Sequence, residues 1–282
     1  MNEPVLIDAT TLSRLDPAGL LQVDCRFDLA DPARGYREYL QGHLPGAVYA
    51  SLDDDLSDLG KKTTGMGRHP LPDAADFSRT LARWGWTPQT EVIAYDTAGG
   101  AMAARLWWMI RAIGGKARVL DGGLAAWEQA GLALETGPVE RAATSVQREF
   151  DASLMLDTAQ LRTALEQGEV VLVDARAAAR FRGDVEPLDR VGGHVPGACN
   201  RPYADNLDGN ACFRTPEALR VEFEQILGDR DAHQSVHMCG SGVTACHNLL
   251  AMAHAGLHGA RLYPASWSGW SSDPDRPVAI GS

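Results

Sequence analysis

The second half of this sequence repeats the first. Four landmarks recur in the same order, the first two at an offset of 150 to 151 residues and the last two at 143. The matched pairs are residues 21–26 with 171–176, 42–47 with 193–198, Asp96 with Cys239, and Trp127 with Trp270. Such matches indicate the duplication of one folding unit. The change in offset means that the first half carries about eight extra residues, which lie in the polar, glycine-rich segment 53–69.

Each half alternates short apolar runs with helical patterns. The runs that end at Asp24 and Asp174 predict strands, and Thr215 followed by Pro216 predicts the start of a helix. The predicted helices are 77–84, 101–113, 158–165, 216–227 and 243–255. Strands that alternate with helices indicate an α/β fold with a mostly parallel sheet and helices on both faces. We expect an N-terminal domain at 1–137, a linker without periodicity at 138–151 and a C-terminal domain at 152–282.

Composition limits the partners and the compartment. The 282 residues carry a net charge of −11 with a pI near 5.1, which argues against nucleic acid or an anionic membrane as partner. The first residues lack the pattern of a signal peptide, and no run approaches the roughly 18 apolar residues of a membrane span. The five cysteines form an odd, scattered set, which favours free thiols in a reducing cytoplasm. No Cys/His spacing fits a zinc site.

One turn concentrates the chemistry. The apolar run 236–238 ends at Cys239, Gly240 and Gly242 follow, and a helical pattern comes next, which predicts strand, tight loop and helix. The glycines let backbone N–H groups point at the sulfur, and this cradle favours the nucleophilic thiolate. Taken alone, the turn also fits a small core cysteine. The duplication argues for chemistry, because the first half has Asp96 at this position. One half therefore keeps the nucleophile and the other supports it.

The run 239–247, Cys-Gly-Ser-Gly-Val-Thr-Ala-Cys-His, resembles the active-site loop of the rhodanese-like sulfurtransferases. Its first six residues resemble the 3-mercaptopyruvate branch of that family. Thiosulfate-type members carry basic residues at the two positions after the cysteine, where this chain has Gly240 and Ser241. The resemblance implies two tandem domains, an inactive N-terminal one and a catalytic C-terminal one. The substrate-binding loop positions that it implies are Gly240, Gly242, Val243 and Thr244.

Two arginines are candidates for binding a substrate carboxylate. Arg180 follows the strand that ends at Asp174, and open α/β sheets bind ligands beyond the carboxyl ends of their strands. A guanidinium fork suits a carboxylate. By resemblance, Arg180 matches an arginine that holds the carboxylate of mercaptopyruvate, and a second such arginine falls near Arg190, where the spacing differs. A solvated surface charge is the alternative for each. The family usually has an acid where Gly269 stands in this chain.

Ser241 is the candidate for moving a substrate proton, with capping of the following helix as the alternative. The resemblance implies that it acts with Cys239 and with an acid of the N-terminal domain. That acid falls at about Asp31, or at Asp28 because segment lengths vary here, with His43 behind it.

Two other kinds of residue are predicted to be structural. His43 and His194 recur at matching places, including the half without a catalytic cysteine, which favours a role in the turn over a role as base. Cys246 lies seven residues after Cys239. We expect its side chain to turn away from the loop, so that it is not a resolving thiol.

These residues predict a double displacement. The Cys239 thiolate takes the sulfur of a donor to form a persulfide, and a small thiol, cyanide or a thioredoxin-like protein removes it, without a metal or organic cofactor. We expect 3-mercaptopyruvate to be the better donor, because thiosulfate is a compact dianion and the loop itself has no cation. Thiosulfate as main donor and a non-catalytic sulfur-binding module are the alternatives. A cysteine phosphatase needs an arginine six residues after the cysteine, where this chain has Ala245.

Overall fold

The computed structural model describes residues 4–281, apart from the side chains of residues 63 and 64. Contacts divide the chain into two units. Unit 1 contains the chain up to Asp58, Leu71–Asp151 and Gly209–Phe213, and unit 2 contains Leu59–Pro70, Ala152–Asp208 and the chain from Arg214 onward. The predicted linker 138–151 has neither helix nor strand and belongs to unit 1. Two segments, Leu59–Pro70 and Gly209–Phe213, thus belong to the unit opposite their half of the sequence.

Unit 1 is built on a five-stranded sheet with strand pairings that are all parallel. Its strands are β1 (Leu6–Ile7), β2 (Leu20–Asp24), β3 (Val48–Tyr49), β4 (Glu91–Tyr95) and β5 (Lys116–Leu120), in the spatial order β1-β5-β4-β2-β3. Its α-helices are α1 (Ala9–Leu12), α2 (Arg34–Gln41), α3 (Ala74–Arg83), α4 (Ala103–Ala112) and α5 (Gly123–Gln129). Strands β2 and β4 pair over their whole length, from Leu20 opposite Glu91 to Asp24 opposite Tyr95.

Unit 2 repeats this arrangement with a four-stranded parallel sheet. Its helices and strands are, in chain order, α6 (Thr158–Glu166), β6 (Val171–Asp174), α7 (Ala178–Arg182), β7 (Cys199–Asn200), α8 (Pro216–Leu227), β8 (Ser235–Met238), α9 (Ala245–His254), β9 (Arg261–Leu262) and α10 (Ser266–Trp270). The spatial order β7-β6-β8-β9 matches β3-β2-β4-β5 of unit 1. The predicted duplication and the α/β fold are therefore confirmed.

Short 3₁₀ helices complete the two units, at Pro17–Gly19, Leu59–Thr64, Ala152–Leu154, Tyr203–Asn206 and Ala232–Gln234.

Local signals account for where the helices of unit 2 begin. Asp157 accepts the N–H of Gln160, whose side chain in turn accepts the N–H of Asp157, so α6 begins with a capping box. Thr215 caps α8 by accepting the N–H of Ala218, and Pro216 occupies the first turn, where its missing N–H costs nothing. These are the two helix starts closest to the sequence prediction.

The central strands are buried on both faces. All four residues of β8 are buried, and the apolar core of unit 2 includes Leu172, Val236, Met238 and Trp267. Buried parallel strands expose their carboxyl ends to loops at one edge of the sheet, and this edge is where α/β proteins place their sites. In the part of the chain that the structure describes, no helix has the length and apolarity needed to cross a lipid bilayer.

The two recurrent histidines have structural roles, as predicted. His43 Nδ1 lies 2.8 Å from the Tyr39 carbonyl oxygen, and the two rings stack. His194 Nδ1 lies 2.9 Å from the Phe181 carbonyl oxygen, again with stacked rings. The same contact in both units joins the turn to the preceding helix.

Candidate active site

Cys239 lies in the loop between β8 and α9, at the carboxyl edge of the unit 2 sheet. The residue is buried, with 1% of its surface exposed, and its sulfur accepts the N–H of Gly242 over 3.2 Å. The predicted strand, loop and helix are confirmed. Cys246 is the second residue of α9 and turns its Sγ toward the Gly242 carbonyl oxygen, 3.5 Å away. The expectation that this side chain turns away from the loop is therefore wrong, because a contact with the residue four positions earlier directs the thiol at the loop backbone.

The N–H that reaches the sulfur depends on a glycine. Gly242 has a φ of +78°, in the left-handed region that other residues rarely adopt. A methyl group added there would also lie 2.4 Å from the Pro264 carbonyl oxygen. The backbone of the loop is thus packed against the turn before α10, and only glycine allows both the conformation and the close approach.

A second turn supports the backbone of Cys239. Ser266 accepts the N–H of Cys239 at its hydroxyl over 3.1 Å and donates to the Tyr263 carbonyl oxygen over 3.0 Å. Trp267 donates its N–H to the Cys239 carbonyl oxygen over 3.0 Å. Ser266 is fully buried and has a φ of +53° without being glycine. Strained backbone of this kind persists where the surroundings hold it, often at functional sites.

The equivalent loop of unit 1 shows the same backbone around a carboxylate instead of a thiol. Asp96, the counterpart of Cys239, is buried, and its carboxylate accepts four backbone N–H groups over 2.7–2.9 Å. The donors are Ala98, Gly100, Met102 and Ala103. Leu124 donates to the Asp96 carbonyl oxygen, as Trp267 does to that of Cys239. The loop therefore has the form of an anion cradle.

Ser241 contacts a histidine that the sequence interpretation did not include. His69 Nδ1 lies 3.1 Å from Ser241 Oγ, and both side chains are buried. His69 belongs to Leu59–Pro70, the segment from the first half that forms part of unit 2. A serine hydroxyl paired with an imidazole can pass a proton in either direction, since each group both donates and accepts. Ser241 lies two residues after Cys239 in the loop.

Two guanidinium groups flank Gly240. A methyl group added to Gly240 would lie 3.0 Å from Arg68 Nη2 and 3.3 Å from Arg180 Nη1. Arg180 thus lies beside the loop, as its position after β6 predicted. Its Nη2 donates to Glu186 over 2.7 Å and to Asp189 over 3.0 Å. Arg68 forms an ion pair with the other oxygen of Asp189.

The two carboxyl groups in this cluster respond differently to their surroundings. Burial raises the pKa of Asp189, although the charge of Arg68 acts in the opposite direction. Burial of Glu186 acts to raise the pKa of its carboxyl group, but the hydrogen bonds from Arg180 and from the Leu188 and Asp189 N–H groups, together with the charge of Arg180, outweigh burial and lower that pKa. Glu186 is therefore the more firmly ionised of the two.

The remaining predicted site residues lie as follows. Val243 is buried and Thr244 precedes α9 at its N-cap, without a capping bond from its side chain. Arg190 donates its Nε to the Ser271 carbonyl oxygen over 2.8 Å. Asp31 lies in unit 1, half exposed, in an ion pair with Arg37. These contacts do not test whether Arg190 or Asp31 meets substrate, and both stay predictions.

The alternative acid, Asp28, also lies in unit 1, where its carboxylate pairs with Arg34 over 3.0 Å. It likewise stays a prediction.

Arg68 and His69 were missed because they lie in the half that has Asp96 in place of Cys239. The available signal was the insertion itself, which ends with these two residues before Pro70. The backbone explains a second oddity, the glycine at 269. A methyl group added to Gly269 would lie 2.7 Å from the Gly65 carbonyl oxygen, so the close approach of the inserted segment requires glycine there.

Comparison with known proteins agrees with this architecture. A profile of the rhodanese-like domain matches residues 10–130 and again residues 157–273. The chain belongs to the rhodanese-like family. Both copies of the domain are present, and the copy with the cysteine loop is the second.

Several relatives match this chain over nearly its whole length. A protein of Pseudomonas aeruginosa named as a probable 3-mercaptopyruvate sulfurtransferase is 47% identical over 100% of both chains. A protein of Mycobacterium tuberculosis, provisionally named as a thiosulfate sulfurtransferase, is 43% identical over 99% of this chain and 98% of its own length. Among solved structures, the 3-mercaptopyruvate sulfurtransferase of Leishmania major is 32% identical, with a TM-score of 0.85, and is matched over 95% of this chain and 74% of its own.

Proposed function

We propose that this chain is a sulfurtransferase that moves sulfur from 3-mercaptopyruvate to a thiol or cyanide through a persulfide on Cys239. The observation that carries the proposal is the buried Cys239 sulfur held by the Gly242 N–H, on a loop whose Ser241 contacts His69. The names of the Pseudomonas aeruginosa and Leishmania major relatives support the choice of donor.

In the first half-reaction, the Cys239 thiolate attacks the thiol sulfur of 3-mercaptopyruvate. A sulfur–sulfur bond forms, the bond between that sulfur and C3 breaks, and its electron pair passes to the neighbouring carbonyl to give the enolate of pyruvate. The proton of the donor thiol must reach C3 to complete pyruvate. Ser241 and His69 are the pair that carries it. The products are pyruvate and an anionic persulfide on Cys239.

The persulfide needs a place for its negative outer sulfur. In unit 1, the carboxylate of Asp96 extends from the equivalent position and accepts the N–H groups of Ala98 and Gly100. The corresponding residues of unit 2 are Ser241 and Val243, at the same offset of 143 as Asp96 and Cys239. Their N–H groups are the donors that stabilise the outer sulfur. In the second half-reaction, an acceptor anion attacks that sulfur, and Cys239 leaves as thiolate.

The acceptor and the compartment follow from the same chemistry. Cyanide would leave as thiocyanate, and a thiol would leave as a persulfide. A thioredoxin-like protein fits as acceptor because it presents such a thiol. A persulfide and five cysteines that form no disulfide suit a reducing cytoplasm.

Thiosulfate is the second candidate donor. Arg68 places a cation beside Gly240, near where thiosulfate-type members carry a basic side chain, and the Mycobacterium tuberculosis relative is named for thiosulfate. The ratio of turnover with 3-mercaptopyruvate to turnover with thiosulfate, each with cyanide as acceptor, separates the two. Faster turnover with thiosulfate at equal concentration would reverse the assignment of the main donor.

The persulfide is tested by intact-protein mass spectrometry. Incubation with donor should add one sulfur atom to the protein, and cyanide should remove it. Cys239→Ser should gain no sulfur and should not turn over, whereas Cys246→Ser, the matched cysteine on α9, should behave as the unmodified protein. Retention of the added sulfur by Cys239→Ser would rule out Cys239 as its carrier.

A further inference from the structure

Arg68 and Arg180 share one carboxylate beside the loop. Asp189 accepts Arg68 Nη1 at Oδ1 and Arg180 Nη2 at Oδ2, the latter over 3.0 Å. The side chain of Asp189 is 4% exposed, whereas the arginine side chains keep 24% and 18%. The counter-charge is therefore shielded from solvent, while the two cations stay accessible next to Gly240.

Glu186 differs from Asp189 in what it holds. Its Oε1 accepts the N–H groups of Leu188 and Asp189 over 3.1 and 3.2 Å, in addition to Arg180 Nη2 over 2.7 Å. Glu186 therefore fixes the backbone of the turn. In the described part of the chain, the carboxylate of Asp189 contacts the two arginines. Arg176 also pairs with Glu186 over 3.4 Å and with Asp174 over 2.6 Å. Three cations and three carboxylates together give this cluster no net charge.

We propose that Asp189 is a specificity-determining residue of this site, because its carboxylate neutralises Arg68 and Arg180 next to Gly240 and so favours a monoanionic donor over dianionic thiosulfate. This inference rests on the proposed sulfurtransferase function and deepens it. Without the Asp189 charge, the cluster would carry one net positive charge. A dianion gains twice as much as a monoanion from that charge at equal distance, so the change acts on the choice between donors.

We therefore expect that Arg68 supplies, beside Gly240, the positive charge that thiosulfate-type members carry on the loop itself. The carboxylate of Asp189 cancels this charge. Adding a basic side chain at Gly240 would test this poorly, because the added atoms would crowd the two guanidinium groups. Removing the negative charge of Asp189 is a more direct test. Asp189→Asn keeps the size of the side chain and one oxygen acceptor, and it removes the negative charge.

Asp189→Asn should raise the ratio of kcat/KM for thiosulfate to kcat/KM for 3-mercaptopyruvate about tenfold, the effect of one unit charge in a partly solvated site. The gain should shrink as ionic strength rises, since salt screens accessible charges. Asp184→Asn is the matched control. It removes the same charge from the same segment, where Asp184 is exposed and paired with Arg182, and it should leave the ratio unchanged.

A binding measurement keeps this test separate from the proposed function. Calorimetric titration of thiosulfate into Cys239→Ser needs no turnover, and adding Asp189→Asn to that protein should tighten binding about tenfold. If the unmodified enzyme transfers sulfur from neither donor, the proposed function fails, and this titration still decides the role of Asp189.

Arg68→Gln removes a positive charge from the same cluster instead of the negative one. This variant provides the test if Asp189→Asn does not fold. It leaves the cluster with a net negative charge, so the ratio should fall about tenfold. An unchanged ratio in folded Asp189→Asn or in folded Arg68→Gln, or thiosulfate binding that does not respond to Asp189→Asn, would overturn the inference.

Discussion

At the scale of single residues, the backbone of Cys239 is held by a serine with an unfavourable backbone conformation. Ser266 has a φ of +53°, which costs a residue with a side chain roughly 1 kcal/mol relative to glycine. Its counterpart in unit 1 is Gly123, with a φ of +56°. The hydroxyl compensates in unit 2, because it accepts the N–H of Cys239, which would otherwise be buried without a partner.

Comparing Ser266→Ala with Ser266→Gly separates the effect of the lost hydroxyl from the effect of the backbone strain. Both should slow persulfide formation, because both leave the Cys239 N–H without its acceptor. Ser266→Ala should lower the free energy of unfolding by about 1–3 kcal/mol, and Ser266→Gly by roughly 1 kcal/mol less, because glycine removes the strain. Urea unfolding and single-turnover kinetics measure the two effects. Unaltered kinetics in both variants would mean that the hydroxyl serves stability alone.

His237, also a single-residue feature, makes the fold sensitive to acid. It is fully buried in β8, neither ring nitrogen has a hydrogen-bond partner among the described residues, and burial lowers its pKa from 6.5 to about 3. The unfolded chain therefore binds the proton first. The contribution of neutral His237 to the free energy of unfolding is fully present above about pH 6.5. It is lost progressively as pH falls toward 3, and the loss is about 2 kcal/mol at pH 5.

His237→Leu should flatten this pH dependence. The free energy of unfolding, measured by urea titration at pH 8 and pH 5, should differ by about 2 kcal/mol less than in the unmodified protein. His233→Leu, on the exposed turn before β8, controls for the loss of a histidine at the surface. An equal fall in both proteins would contradict the assignment to His237.

At the scale of elements, the conformation of the loop before α9 depends on the close packing of its backbone. Gly242→Ala would put a methyl group 2.4 Å from the Pro264 carbonyl oxygen at a φ of +78°. We expect the free energy of unfolding to fall by at least about 2 kcal/mol, with loss of sulfur transfer as the N–H moves from the sulfur. Gly209→Ala, which has open space around it, should change neither quantity. A fully active Gly242→Ala would show that the N–H is dispensable.

Elements were predictable from sequence where one short signal decided them. The cap at Thr215 and the glycines after Cys239 predicted the first residues of α8 and α9 to within two positions of where these helices begin. The periodic pattern at 101–113 extends past both ends of α4, which covers Ala103–Ala112. The residues just before and just after the helix are also apolar, so the pattern does not mark where the helix begins and ends. Periodicity reports burial, whereas capping reports where the backbone turns.

At the scale of the whole molecule, the site is assembled from both halves of the sequence. His69 comes from the first half and belongs to unit 2. His69→Asn should lower kcat for 3-mercaptopyruvate about 100-fold or more, because that donor must lose a thiol proton. Thiosulfate has no such proton, so its turnover should change little. His43→Asn, a structural histidine of unit 1, should not change the ratio between donors. An equal loss with both donors would remove His69 from proton transfer.

The same assembly explains which site residues sequence reasoning could find. Cys239, Ser241 and Arg180 follow strand ends within one repeat, so the duplication and the sheet topology together pointed to them. Arg68 and Asp189 meet through an ion pair between distant segments, and nothing in local spacing specifies such a partner. Long-range pairing is decided by packing, which periodicity and motifs do not encode.

The exchange of segments between the two units also affects how the gene can change. A duplicated copy that has lost its nucleophile is normally free to decay or to be deleted. Here the copy without a cysteine at this position encodes Leu59–Pro70, which belongs to unit 2, and the copy with Cys239 encodes Gly209–Phe213, which belongs to unit 1. Deletion of the first half would therefore remove Arg68 and His69 from unit 2. Neither half of the sequence therefore contains a complete unit of its own.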